Sequence, residues 1–194
     1  MSKLICITNR HLVQGDFISR IADILLSSYK PDVIILREKD LSVEKYTALA
    51  EEVNFYCKKF HTKFVVHNFI ETAFQLNLKA IHFPLPKLEK LTEEQKNYFN
   101  VIGASAHSPE QAVKSQNLGA TYLTVSHIFE TDCKKGLKPK GINLIENVKK
   151  SVNIPVYALG GINAENAPFC MQAGADGVCI MSGFMRGNIS TRMI

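Results

Sequence analysis

His127 is the residue of this sequence best suited to moving a proton. It follows the apolar run Tyr122–Ser126, and two lysines, Lys134 and Lys135, come shortly after it. A histidine titrates near pH 6.5, so it can take and return a proton at cellular pH, and a lysine can meet an anionic substrate. A lone histidine is as often a structural residue, so these residue types alone leave both roles open.

Two further cations stand two positions apart at the end of the second apolar run, Arg37 and Lys39. Side chains at positions i and i+2 of an extended strand point to the same side, so both can face one pocket. An anion clamp is therefore favoured over a salt bridge between Arg37 and Glu38 or another neighbour. Two polar residues at the ends of other apolar runs are candidates for substrate binding, Asn68 and Ser105.

Glycines supply the candidate anion site. Gly160 and Gly161 follow one late apolar run, and Ser182 and Gly183 follow the next. Glycine amides can approach an anion closely, and the N-terminus of a following helix favours negative charge. A Gly-Gly pair alone also fits a tight turn. Two glycine-containing loops at consecutive strand ends favour a phosphate site, to which Ser182 would add a hydroxyl.

Eight short apolar runs recur along the chain, with helical segments between them. Most runs are continuous rather than alternating, as expected for strands covered on both faces. Capping-box patterns at Thr92–Gln95 and Ser108–Gln111 mark two helix starts. Strand and helix alternate, which predicts a parallel α/β fold. The predicted strands are Leu4–Thr8, Val33–Arg37, Phe64–His67, Ala80–Phe83, Val101–Ser105, Tyr122–Ser126, Val156–Leu159 and Gly177–Met181, and the longer predicted helices are Asp16–Ser28, Ser42–Lys59, Leu144–Val152 and Ala164–Ala173.

Eight strand–helix units predict a single domain, residues 1–194, folded as a (β/α)8 TIM barrel with eight parallel strands. No G-x-G-x-x-G motif follows the first strand, which disfavours a dinucleotide-binding fold. In such barrels the active site lies at the C-terminal ends of the strands, and phosphate commonly binds after strands 7 and 8. The tail Asn188–Ile194 is too short for a full helix. We therefore expect the eighth helix to be short or missing, with a homodimer partner as one way to cover that flank.

Composition disfavours several classes of function. The net charge is +5, but the lysines are scattered, with no long basic run and no helix-turn-helix, so we expect no nucleic-acid partner. The five cysteines form no C-x-x-C pair and the six histidines show no zinc spacing, so we expect no disulfide framework, no metal and no cofactor. No apolar run reaches ~18 residues and no signal-peptide pattern opens the chain, so we expect no membrane partner and a cytoplasmic location.

Six segments spread over nearly the whole chain carry a family pattern. They read L-R-E-K-D from Leu36, H-N from His67, G-A-S-A-H-S from Gly103, S-H-I-F-E-T-D-C-K-K-G-L from Ser126, A-L-G-G-I-N from Ala158 and A-G-A-D-G-V-C-I-M-S-G from Ala173. In this order they resemble the thiamin-phosphate synthase/TenI family, and the fourth segment is the most specific. The resemblance implies a TIM barrel, a role in thiamin biosynthesis and a phosphorylated thiazole as the small-molecule substrate.

The synthase branch of this family joins a hydroxymethylpyrimidine pyrophosphate to a thiazole phosphate, using Mg²⁺. This chain departs from that branch at three places. Ile35 stands where the branch has Gln, Phe69 stands where it has Asp, and Phe-Pro-Leu-Pro follows His82 in place of a segment with Gln and Asp. Mg²⁺ prefers carboxylate and phosphate oxygens. The resemblance therefore implies Mg²⁺ only if the chain is a synthase, a function that these departures disfavour.

The tautomerase branch lacks the same carboxylates, and its H-[VI]-F-E-T-D-C-K-K-G-L segment is matched here from His127. The resemblance implies that His127 is the catalytic residue of a 1,3-proton shift, which aromatises a thiazole carboxylate phosphate. The binding residues would be Gly160, Gly161, Ser182 and Gly183 for the phosphate, and Arg37, Lys39 or Lys134 for the remaining negative charge. Thiazole tautomerase is our first hypothesis and thiamin-phosphate synthase the second. The third is a non-catalytic regulatory protein that binds thiazole or thiamin phosphate.

Overall fold

Eight parallel strands close into a barrel in chain order. The computed structural model describes residues 3–131 and 136–189. Each strand pairs in parallel with the next, and the last pairs with the first, so the predicted (β/α)8 TIM barrel is confirmed. The strands are β1 Lys3–Ile7, β2 Val33–Leu36, β3 Lys63–His67, β4 Ala80–Pro84, β5 Val101–Ala106, β6 Tyr122–Ser126, β7 Val156–Leu159 and β8 Gly177–Ile180.

Helices connect the strands. They are α1 Phe17–Leu26, α2 Val43–Lys59, α3 Ile70–Gln75, α4 Leu85–Leu88, α5 Glu93–Tyr98, α6 Pro109–Asn117, α7 Asn143–Ser151, α8 Ala167–Gln172 and α9 Ser182–Arg186, with a 3₁₀ turn at Arg10–Leu12. The side chains of Thr92 and Gln95 each accept a hydrogen bond from the other's backbone N–H, which confirms the first capping box. Only half of the second box forms, because the Gln111 side chain accepts from the N–H of His107 instead.

Alternate strand residues divide the core into two parts. One set, which includes Leu4, Cys6 and Ile34, joins the helix side chains in a single large cluster outside the sheet. The other set points into the barrel and forms a separate apolar cluster of Ile5, Ile7, Val33, Ile35, Val65, Tyr122, Tyr157 and Cys179. These side chains fill the barrel interior towards the N-terminal ends of the strands. The space that remains therefore lies at the C-terminal ends.

Up to residue 189, where the described part of the chain ends, a single short helix follows β8. The five residues of α9 are followed by Gly187, whose φ of +77° is readily adopted by glycine. On α1, Arg20 donates from Nε to the carbonyl O of Phe184 at 2.7 Å, which holds α9 against the first helix. The predicted short eighth helix is thus confirmed. Within residues 3–131 and 136–189, no helix is long and apolar enough to cross a membrane.

Candidate active site

A cavity of about 280 Å³ opens at the C-terminal ends of the strands. Seven of the residues that the sequence singles out lie in its wall: Arg37, Lys39, Ser105, His127, Gly160, Gly161 and Ser182. They come from the exits of β2, β5, β6, β7 and β8. The fold therefore brings five separate strand ends together around one cavity, as expected for a TIM barrel.

Two other predicted residues, Asn68 and Gly183, are not found in this wall. At Asn68 the chain turns with φ of +77°, and its Oδ1 is enclosed with no hydrogen-bond partner in the part of the chain that the structure describes. Gly183 faces the protein, because a Cβ built on it would lie 3.1 Å from Cγ2 of Ile180. Lys134 lies outside the described residues, so its placement stays a prediction.

His127 is held by the loop that follows β6. Only 5% of its surface is exposed, and its Nε2 lies 3.2 Å from the carbonyl O of Leu137. A carbonyl only accepts, so the neutral ring carries its proton on Nε2 and leaves Nδ1 unprotonated. The N–H of Lys140 donates to the carbonyl O of His127 at 3.0 Å. The ring is therefore fixed, with one nitrogen bonded to protein and the other able to accept a proton.

The loop after β7 packs directly against the loop after β6. The φ angle is +104° at Gly160 and +66° at Gly161, a region that residues with side chains rarely adopt. A Cβ built on Gly161 would lie 2.2 Å from the carbonyl O of Glu130, and the N–H of Phe129 donates to the carbonyl O of Gly160 at 3.0 Å. Both positions thus require glycine, and the pair keeps bare backbone in the cavity wall beside His127.

Arg37 and Lys39 bring positive charge to the cavity, and no described carboxylate forms an ion pair with either of them. Glu38, between them, is buried on the other side of the strand, where it accepts from Oγ1 of Thr8 at 2.6 Å and pairs with Nη1 of Arg10 at 3.2 Å. Within residues 3–131 and 136–189, neither Arg37 nor Lys39 has an ion-pair partner. Partial burial, and then the charge of Arg37, lowers the pKa of Lys39. The alternative of an Arg37–Glu38 salt bridge is therefore wrong, and the two cations can meet an anion.

Two buried histidines that were not predicted from the sequence as site residues, His67 and His82, border the floor of the cavity. His82 places Nδ1 3.0 Å from Oη of Tyr122 and Nε2 3.0 Å from Oγ of Ser105. Burial is the main cause that lowers the pKa of His82 to about 3 and that of His67 to about 2, and nearby positive charge adds to it. Both rings are therefore neutral at cellular pH, so they contribute hydrogen bonds rather than charge.

A sequence pattern could have revealed the polar floor. Every second residue of a barrel strand faces the interior, and the inward residues near the ends of β3 to β6 are polar: His67, His82, Ser105, Thr124 and Ser126. His107, which follows β5, also lies in the wall, and its Nδ1 donates to the carbonyl O of Ser126 at 2.8 Å. Polar residues at alternate positions of otherwise apolar strands are thus the signal for this site.

The described residues do not fit the Mg²⁺ that the resemblance implies for a synthase. The described cavity wall holds no Asp or Glu, and no group of three or more His, Cys, Asp or Glu in residues 3–131 and 136–189 is placed to bind a metal. Phe69, which stands where the resemblance implies an Asp, stacks on Tyr46 with ring centroids 3.9 Å apart. Asn68 offers a single neutral oxygen, whereas Mg²⁺ is held through carboxylates together with phosphate oxygens.

Comparison with known proteins identifies relatives over nearly the whole chain. Residues 4–184 match the family model described as thiamine monophosphate synthase. The chain is 31% identical over 185 residues to the putative thiamine-phosphate synthase 2 of Aquifex aeolicus, an alignment that covers 95% of this chain and 98% of that protein. It is 32% identical over 158 residues to the thiamine-phosphate synthase of Clostridium acetobutylicum, which covers 79% and 73% of the two chains.

Solved structures agree with these sequence matches. The thiamine phosphate pyrophosphorylase of Pyrococcus furiosus matches with a TM-score of 0.82 at 25% identity, over 98% of this chain and 91% of that one. The names of these relatives agree with the synthase hypothesis more closely than with the tautomerase hypothesis. Since the family model spans almost the entire barrel, this chain belongs to the thiamine monophosphate synthase family, a family of enzymes of thiamin biosynthesis.

Proposed function

We propose that this chain is a metal-independent thiazole tautomerase, which aromatises a thiazole carboxylate phosphate by a 1,3-proton shift. The observation that carries the proposal is the make-up of the cavity wall. It combines a fixed imidazole, glycine backbone and two cations, with no carboxylate among its described residues. A 1,3-proton shift needs one base that removes a carbon-bound proton and redelivers it nearby. It needs no departing pyrophosphate whose charge a metal ion would stabilise.

His127 would carry the proton in this reaction. Its Nδ1 would accept the proton from a ring carbon of the substrate, and the electron pair left behind would spread over the ring and its carboxylate. The imidazolium would then return the proton to the second position, which completes the aromatic ring. The hydrogen bond from Nε2 to Leu137 holds the ring in place during both transfers. General acid–base catalysis of this kind contributes roughly 10²–10⁴-fold, and fixed positioning contributes further.

The remaining wall residues would bind the substrate. Gly160, Gly161 and Ser182 would hold the phosphate through backbone N–H groups and a hydroxyl, while Arg37 and Lys39 would neutralise negative charge on the other side of the cavity. Ser105, fixed by its hydrogen bond to His82, would contact the ring of the substrate between the phosphate site and the two cations.

Thiamin-phosphate synthase is the second candidate function. The names of the relatives from Aquifex aeolicus, Clostridium acetobutylicum and Pyrococcus furiosus favour it. A synthase must stabilise a departing pyrophosphate, and this would be the task of the Mg²⁺ that the resemblance implies for the synthase branch. The described wall offers no carboxylate for that metal, and for this reason we place the synthase second.

A pair of assays tests the proposal. The non-aromatic tautomer of the thiazole carboxylate phosphate is mixed with the protein, and its aromatisation is followed by proton NMR in the presence of EDTA or of Mg²⁺. We expect turnover that does not depend on Mg²⁺. His127→Asn should lower kcat by about 100-fold or more while the product still binds, because Asn cannot accept the proton.

His61→Asn is the matched control. His61 is an exposed histidine with φ of +56°, a conformation that Asn tolerates, so this variant should keep wild-type turnover. Full activity of His127→Asn would overturn the proposed mechanism. The second assay mixes the protein with hydroxymethylpyrimidine pyrophosphate, thiazole phosphate and Mg²⁺. Thiamin phosphate formed there at enzymatic rates, without aromatisation in the first assay, would establish the synthase instead.

A further inference from the structure

His67 occupies a defined place at the end of β3. Its ring faces that of His82 at 5.7 Å between centroids and 20° between planes, and its backbone N–H donates to Oη of Tyr46 at 2.9 Å. Only 5% of the residue is exposed, and the exposed part borders the cavity. The ring is thus fixed in position rather than free to turn towards solvent.

The two ring nitrogens of His67 differ in their surroundings. Nδ1 is enclosed by protein and has no hydrogen-bond partner in residues 3–131 and 136–189. Buried polar groups without a partner are rare, and enclosed N–H donors are rarer than enclosed acceptors. The single proton of the neutral ring therefore belongs on Nε2, the nitrogen that can meet a ligand. His67 thus presents an uncharged N–H donor to the cavity.

Arg37 lies beside this donor in the sheet. Leu36 pairs with Val66 in the register of β2 and β3, so the next residues along, Arg37 and His67, are neighbours. Arg37 lies two positions after Ile35, and His67 lies two positions after Val65; Ile35 and Val65 both point into the barrel. Arg37 and His67 therefore face the same side, and both line the cavity. Lys39 also belongs to this wall. On this side of the cavity, the side chains of Arg37, His67 and Lys39 therefore act as hydrogen-bond donors and not as acceptors.

This group of donors lies across the barrel from the glycine loops. In a closed barrel of eight strands in chain order, β3 is opposite β7, and β2 is opposite β6. The glycines after β7 and His127 after β6 therefore face His67 and Arg37 across the cavity. A ligand that fills the cavity would present one anionic group to the glycine loops and a second acceptor to His67.

We propose that His67, together with Arg37 and Lys39, forms a second anion subsite that takes the carboxylate of the substrate, and that His67 makes the protein prefer a carboxylated thiazole phosphate over a decarboxylated one. This inference rests on the proposed function for the identity of the ligand. It adds a residue that determines specificity, and it assigns the two negative charges of the substrate to opposite sides of the barrel.

Calorimetric binding of two ligands tests the subsite. The ligands are the aromatic thiazole carboxylate phosphate and the same compound without its carboxylate. Wild type should bind the first about 10-fold more tightly or better, as expected for hydrogen bonds to a charged acceptor. His67→Phe keeps a ring without the donor, so it should lose roughly 10-fold in affinity for the carboxylated ligand and little for the other. His67→Gln keeps an N–H near Nε2 and should recover part of the preference.

Two results would overturn the inference. Equal losses for both ligands in His67→Phe would show that the residue only supports the structure, and unchanged affinities would show that a water molecule or nothing meets Nε2. If His67→Phe does not fold, nitrogen NMR of the wild-type protein provides the test instead. The chemical shift of His67 Nε2 should change when the carboxylated ligand binds and should not change when the decarboxylated ligand binds. Neither measurement needs turnover. A protein without tautomerase activity can still show the subsite, and an active tautomerase can still lack it.

Discussion

Gly160 lies so close to His127 that a Cβ built on the glycine would fall 2.5 Å from the Cβ of the histidine. Real Cβ atoms do not approach each other this closely. The residue after β7 can therefore pack against His127 only if it is a glycine. The proposed phosphate loop and the proposed proton carrier are therefore positioned by a single contact.

Gly160→Ala should disturb both functions of this contact. The φ of +104° strains any residue with a side chain, by roughly 1–2 kcal/mol, and the new methyl group should also push His127 aside. We expect kcat to fall at least about 10-fold and phosphate affinity to weaken. Gly119→Ala is the control, because Gly119 has φ of +97° with nothing within 4 Å of a built Cβ. Equal activity of the two variants, each corrected for its stability, would contradict the shared contact.

Lys39→Met should weaken binding of the thiazole carboxylate phosphate by up to about fivefold, as for a charge pair near solvent. The pKa of Lys39 is lowered by partial burial and by Arg37, so the wild-type ammonium loses its proton at a lower pH than an ordinary lysine. Ligand affinity should therefore fall as the pH rises into the alkaline range, and this fall should be smaller in Lys39→Met. Binding titrations from pH 7 to pH 10 measure this fall in affinity. Lys63→Met is the control, because Lys63 is exposed at the start of β3.

The buried histidines should make the fold sensitive to acid. Burial lowers the pKa of His67 to about 2 and that of His82 to about 3, whereas an unfolded histidine titrates near 6.5. Below pH 6.5 the unfolded state therefore binds more protons than the folded state, and the free energy of unfolding falls. Each histidine should lower the free energy of unfolding by about 2 kcal/mol when the pH falls from 7 to 5. Urea unfolding at both pH values checks this, and equal stability at the two would contradict neutral, buried rings.

Glu38→Gln should reduce stability without reducing catalysis. The carboxylate of Glu38 accepts from Thr8 and from the backbone and guanidinium of Arg10, and loss of its charge should lower the free energy of unfolding by about 1–3 kcal/mol. Because Glu38 is absent from the described cavity wall, kcat should stay at the wild-type value. Glu52→Gln, at an exposed position of α2, should change neither quantity. A large fall in kcat with intact folding would show that Glu38 takes part in the reaction.

The architecture was predictable because it depends on local patterns. Strands covered on both faces need continuous apolar runs, and the bounds of all eight predicted strands lie within one residue of the observed bounds. The glycines after β7 were also visible, since only glycine suits a left-handed turn in close contact with its neighbours. The predicted helix Ala164–Ala173 is shorter than expected, at Ala167–Gln172, because the side chains of Asn163 and Asn166 bond to the backbone of the turn before it.

Other parts of the site depend on contacts between distant segments. Glu38 meets Arg10, which lies 28 positions earlier and on another strand exit, so the sequence could not show which neighbour Glu38 would choose. The proposed role of His67 rests on its burial and on its enclosed Nδ1, and residue type alone reveals neither property. Asn68 was expected in the cavity because it ends a strand, but the left-handed turn there takes it out of the wall.

The stack of Phe69 on Tyr46 places a magnesium site at this position more than one mutation away. Phe69→Asp would set a charge against a fully buried aromatic ring, which is costly, and would leave a void where the phenyl group had been. Tyr46 also ties β2 to β3, since its hydroxyl donates to Leu36 and accepts from His67. An engineer who wishes to install a magnesium site here must therefore redesign the packing of α2 on the barrel before adding any ligand.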